Sequence, residues 1–112
     1  MLSRFAQLAF IIACVTTAQA RSQESKLVGK WLWHGIDAEA VLTFERGHTY
    51  VHESTGFDFH ESKKATWRLS NHKLVVSWPD GHNDTYSIVR LTSDILILHS
   101  VAAGRERFSR VK

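Results

Sequence analysis

From Leu27 onward, apolar and polar side chains alternate with a period of two, and turn-forming residues break the alternation at intervals of roughly eight to twelve positions. The clearest case is KATWRLSNHKLVVSWPDG. A two-residue turn at Asn71-His72 sets Leu69 opposite Leu74, Trp67 opposite Val76 and Ala65 opposite Trp78, all on one face. Arg68, Ser70, Lys73 and Ser77 then fall on the other face, so the apolar pattern and the turn position agree on one register. A second hairpin is expected in AVLTFERGHTYVHE, turning at Arg46-Gly47 and pairing Phe44 with Thr49 and Leu42 with Val51.

The other strands are expected in LVGKWLWH, DTYSIVRL, DILILHS and RERFSRV, separated by Pro79-Asp80-Gly81, Thr92-Ser93 and Ala103-Gly104. No stretch after Ala20 has a helical period of useful length. Strands joined by tight turns favour a meander. Closing the meander removes its exposed edges. The expected fold is therefore all-β, a small up-and-down antiparallel barrel of about eight strands spanning 27–112. A short polar stretch, Arg21 to Lys26, is expected to be a flexible lead.

The first twenty residues, MLSRFAQLAFIIACVTTAQA, read differently. Arg4 precedes an apolar run from Phe5 to Val15, broken only by Gln7, and small residues end in Ala18-Gln19-Ala20. This is the order of a secretory signal peptide. The run is also shorter than the roughly 20 residues needed to span a bilayer. Cleavage after Ala20, into a periplasmic or secreted location, is the expected outcome. A lipid anchor at Cys14 is the competing reading, disfavoured by the early position of Cys14 and by the apolar run that continues past it.

Cleavage there removes the chain's one cysteine, and with it disulfides, thiolate chemistry and Cys-ligated zinc. It also leaves 13 basic against 11 acidic side chains, a balance that does not point to nucleic acid, which asks for a clustered basic face. No later stretch reads as a membrane span, and no cofactor is expected.

Gly29-Lys30-Trp31 on the first strand resembles the Gly-x-Trp signature of lipocalins and related calycin barrels. Further stretches resemble the short bacterial lipocalin-like domains, in order. They are Thr43-Phe44 through Gly47 to Thr49-Tyr50, Thr66-Trp67-x-Leu69, Lys73-Leu74-x-Val76, Tyr86-x-Ile88-x-x-Leu91 and Leu96-x-Leu98. The resemblance implies that Trp31 packs across the closed end of a barrel and that a basic residue of a late strand covers its ring. Arg110 is the first candidate for that role and Arg107 the second. It further implies an exported binding or structural module, with no particular ligand.

The segment VHESTGFDFHES carries His-Glu-Ser twice, at His52-Glu53-Ser54 and His60-Glu61-Ser62. Residues i and i+4 on a strand lie roughly 13 Å apart, so His48 and His52 are too distant to share a zinc whose bonds are about 2 Å long. His52 and His60 meet only if Thr55 to Phe59 folds back, with Glu53, Glu61 or His82 as a third ligand. No metal site is therefore assigned. Catalysis needs a nucleophile, a base in reach and an oxyanion hole. No motif supplies these, and adjacent His-Glu-Ser side chains are expected on opposite faces, so no catalytic residue is assigned and the chain is not read as an enzyme.

Seven histidines, His34, His48, His52, His60, His72, His82 and His99, are read as scattered surface residues, with a pH-tuned interaction as the alternative. Asn83-Asp84-Thr85 matches an N-glycosylation sequon that matters only in a eukaryotic secretory pathway. The alternation directs Trp31, Trp33, Trp67 and Trp78 inward, with Phe44 or Tyr50, Tyr86 and Phe108. A barrel of this size holds either side chains or one small ligand. If a ligand, an apolar or amphipathic molecule at the open end is expected to meet Trp33, Trp67, Trp78 and Tyr86. If filled, the barrel is expected to engage a protein partner through the loop 54–64, which presents Phe57 and Phe59.

Overall fold

The computed structural model describes residues 23–112; the expected signal peptide, its cut after Ala20 and Cys14 fall outside them. Eight antiparallel strands follow in order: β1 (Gly29–His34), β2 (Ala38–Phe44), β3 (Thr49–Gly56), β4 (His60–Ser70), β5 (Lys73–Ser77), β6 (Asn83–Leu91), β7 (Ile95–Ser100) and β8 (Gly104–Arg110). Each pairs with its neighbours in sequence, and β1 pairs with β8 through Trp31 opposite Arg110 and Leu32 opposite Ser109. The meander closes into the expected up-and-down barrel. Among the described residues no helix is long and apolar enough to cross a membrane.

β4 and β5 meet in the expected register, with Leu69 opposite Leu74 and Trp67 opposite Val76. Asn71 and His72 turn with φ of 50° and 63°, the double positive of a type I′ turn, whose twist suits a hairpin. The β2–β3 hairpin departs from its expected register by one residue. Phe44 lies opposite Tyr50 and Leu42 opposite His52, where Thr49 and Val51 were expected. The His48 N–H donates to the Glu45 carbonyl at 3.0 Å and the Glu45 N–H to the Thr49 carbonyl at 2.9 Å. His48 takes a φ of 67°, which adds one left-handed residue to the turn, as in a three-residue hairpin loop. A slip of one residue exchanges the faces of a strand. Tyr50, His52 and Ser54 therefore point into the barrel.

Two further expectations are corrected. The loop 54–64 shrinks to residues 57–59, because β3 runs to Gly56 and β4 starts at His60. Residues 60–64 are exposed strand, and charge on both of their faces hides the period of two. Part of the 21–26 lead is structured: residues 23–27 form a helical turn, too short for a periodic signal, and it ends in Leu27, which is fully buried. The β6–β7 pairing also skips a residue between Ile88 and Arg90. The bulge lets Leu91 follow Tyr86 and Ile88 onto the core while Val89 stays 44% exposed.

The up-and-down order gathers the 45–48, 71–72 and 92–94 turns at one end of the barrel, together with the helical turn. The connections 35–37, 57–59, 78–82 and 101–103 lie at the other. The core occupies the first of these ends. Trp31, Phe44, Leu74 and Leu96 have almost no solvent contact, and each such side chain contributes about 1.5–3 kcal/mol by its burial.

Candidate functional site

Trp31 plugs the first end. Its Nε1 donates to the Leu27 carbonyl at 2.9 Å, so the polar atom of a side chain with 0% exposure is satisfied. The Arg110 guanidinium lies over the ring, 4.2 Å from its centroid, in cation–π contact. The same guanidinium donates to the Val28 carbonyl at 3.1 Å and to the carbonyls of Lys26 and Ser93. It thereby ties the helical turn, β1 and the β6–β7 connection together. Gly29 is required beneath it: its φ is +138°, and a Cβ there would stand 2.5 Å from the Arg110 Nη1. Arg107, opposite Ile97, lies on the outer face.

Toward the other end the interior is not filled. A cavity of about 340 Å³ opens there. Leu42, Phe44, Leu74, Val76, Leu98 and Phe108 form its apolar floor. Above them, Tyr50, His52 and Ser54 from β3, Tyr86 from β6, Glu61 from β4 and Glu106 from β8 supply a polar collar. Trp33 and Phe59 stand at the wall.

Of the four residues expected to meet a ligand, Trp33 and Tyr86 line this cavity. Trp67 lies elsewhere: it is 2% exposed, packs edge-on against Phe44 at 5.6 Å and donates from Nε1 to the Glu45 carbonyl at 3.0 Å in the filled half. Trp78 touches Tyr50 edge-on at 5.9 Å but borders a separate cleft with Lys63, Lys64, Pro79 and His82. Its Nε1 donates to Asp84 Oδ2 at 2.7 Å. Phe59, expected on a docking loop, is a cavity-wall residue, whereas Phe57 is fully exposed. The residues that sequence reasoning missed are Tyr50, His52, Ser54 and Glu106. The signal for the first three was the length of the 45–48 turn.

Among solved structures, a lipocalin-like protein from Bacteroides uniformis ATCC 8492 matches with a TM-score of 0.61 and 15% identity, over 78% of this chain and 99% of the other. The fold is lipocalin-like. No family model and no curated protein matches the sequence.

Burial sets the electrostatics of the lipocalin-like barrel's cavity. Desolvation pushes the Tyr50 hydroxyl pKa far up, with repulsion from Tyr86 once that phenol ionises, and from Asp84 and Glu106, adding to it. Tyr86 is raised in the same way by burial, then Asp84 and Glu106. The His52 pKa falls below its ordinary 6.5, chiefly through burial and then through Lys63 on the neighbouring strand. At neutral pH both phenols keep their protons and His52 is uncharged.

His52 and Ser54 also correct the view that a His-Glu-Ser run cannot converge. Two residues apart on one strand, they share a face, and Ser54 Oγ lies 3.3 Å from His52 Nδ1. Both edges of β3 are paired, so its backbone N–H groups around this pair belong to the ladders. Among the described residues, no group of three or more His, Cys, Asp or Glu side chains is placed to hold a metal ion. His52 pairs with Lys63 and His60 with Thr55 across β3–β4. His34 and His82 instead approach single carboxylates, Glu39 at 3.0 Å and Asp84 at 2.8 Å.

Proposed function

We propose that this protein is an exported small lipocalin-like barrel that binds one small apolar or amphipathic ligand in its open half, and that it acts as a binder and not as an enzyme. One observation carries the reading: a cavity of about 340 Å³ with an apolar floor and a polar collar. This is the layout of a small-molecule site, in which apolar walls bind and a few polar groups orient. Affinity follows apolar area at about 25 cal/mol per Å² less the cost of association, which points to micromolar binding for one ring or short chain. Export is supported by the order of charged, apolar and small residues in 1–20.

Native mass spectrometry of the protein exported by a bacterial host tests both parts. A chain beginning at Arg21 and carrying an added small-molecule mass is expected. Retention of residues 1–20 would overturn export. A bare mass, together with no saturable change in Trp fluorescence on titration with octan-1-ol, would overturn binding.

A second reading, that the open end docks on a protein surface offering apolar pockets, is favoured by Ile36 and Phe57, fully exposed on two connections at that end, and by Val101 on a third. In that case a partner retained by the unsubstituted protein is lost on combined I36S, F57S and V101S substitution.

A further inference from the structure

Tyr50 is 4% exposed and lines the cavity, yet among the described residues its hydroxyl enters no hydrogen bond. No buried side-chain polar atom of the described residues lacks a partner, so this hydroxyl reaches the solvent of the cavity and is free to bond a group that comes from outside the chain. Glu106 points inward from β8, opposite the buried Leu98. Among the described residues it too has neither a hydrogen bond nor an ion pair, although it lines the cavity.

The other carboxylates nearby are engaged. Of the other two that line the cavity, Glu61 pairs with Lys63 at 3.4 Å and Glu39 lies 3.0 Å from His34 Nδ1; Asp84, which does not line it, accepts from Trp78 and His82. No lysine or arginine lines the cavity. His52 is the one basic side chain there, and its burial and the neighbouring Lys63 both disfavour its cation. The wall therefore presents an uncompensated negative charge and an unpartnered hydroxyl above an apolar floor. A carboxylate ligand would bring like charge into a desolvated site, and an alcohol would leave the charge unpaired.

We propose that the ligand is a small amphipathic amine, its ammonium group held by the Glu106 carboxylate and the Tyr50 hydroxyl and its hydrocarbon body laid on Leu74, Val76 and Phe108. This rests on the ligand-binding reading above and adds the chemical class. A charge-assisted hydrogen bond to a carboxylate is roughly twice as strong as a neutral one, and partial burial shields the pair from salt.

Three probes of one chain length separate the inference from the reading beneath it: octylamine, octan-1-ol and octanoate, titrated into the full-length protein at pH 7 by calorimetry. Octylamine is expected to bind about tenfold or more tightly than octan-1-ol, and octanoate more weakly than either. Glu106→Gln is expected to bring the amine-to-alcohol affinity ratio down to about one, with its fold checked by circular dichroism. Octanoate binding as tightly as octylamine, or an amine preference that survives in a folded E106Q variant, overturns the amine while leaving the cavity a ligand site. Failure of all three probes overturns the inference and the ligand-binding reading together. The probe series on the unsubstituted protein decides between these outcomes without relying on the variant.

Discussion

At the closed end the inward positions of the strands hold Trp31, Phe44, Trp67 and Leu96, all nearly free of solvent, with the Arg110 guanidinium drawn over Trp31 as a cover. Toward the other end, β3, β6 and β8 turn Tyr50, His52, Ser54, Tyr86 and Glu106 inward around an open space. Large rings fill a narrow barrel completely and leave no room for water. Polar side chains half-way up keep their hydration or await a ligand, because burying them without partners is costly. The barrel thus concentrates its stability in one half and leaves the other half adaptable.

Breaking the closed half should produce the largest effects. Trp31→Ala and Trp67→Ala each empty a ring-sized volume from the packed layer and are expected to cost about 3–5 kcal/mol, measured as a lowered denaturant midpoint. Losses of less than about 1 kcal/mol for both would dissolve the contrast between the halves. Gly29→Ala should follow, costing about 1–3 kcal/mol, since it forces a side chain into a φ that only glycine takes readily and against the Arg110 guanidinium. Its melting temperature should fall without any change in ligand affinity.

In the open half the expectation reverses. Trp33→Ala should lower octan-1-ol affinity by about tenfold, or about 1.4 kcal/mol, while the melting temperature stays within a few degrees of the parent. Equal ligand affinity in Trp33→Ala would remove that ring from the site.

The smallest effect is the pH dependence from His52. Its folded-state pKa lies below the ordinary 6.5, so between those two values the unfolded chain binds more protons than the folded one. Stability should therefore decline as pH falls below about 6.5 and level off once the folded imidazole also protonates. His52→Gln should flatten that part of the profile in urea unfolding from pH 7 to pH 5. A profile identical to the parent's would show that His52 is hydrated in the folded state.

Much of this architecture was legible in the amino-acid order, for identifiable reasons. Alternation directed Trp31, Trp67, Leu74 and Phe108 inward, where they are buried, and Asn71-His72 marked a two-residue turn whose register the apolar residues on both sides confirm. The 45–48 turn was misread because Arg46-Gly47 looks like a two-residue turn, whereas His48 adds a left-handed residue that its own chemistry does not advertise. The cost of that misreading fell on the site, since one residue of slip placed His52 and Ser54 on the wrong face and left Tyr50 only as an alternative to Phe44 for the interior. The rim strand 60–64 was hidden for a different reason: it projects polar groups on both sides, and only its ladder to β3 reveals it.

The sequence by itself determined the number of strands and the closed meander, because period-two burial and turn chemistry are local, and the resemblance carried by Gly29-Lys30-Trp31 pointed to the tryptophan that stoppers one end. Only the tertiary structure decided that Trp67 belongs to the packed layer and Trp78 to a separate cleft, and that Glu106 from the last strand stands in the same cavity as Tyr50 from the third. Those relations depend on how far each strand is displaced around a closed barrel. That displacement is summed over every turn and bulge, so no single stretch of residues contains it.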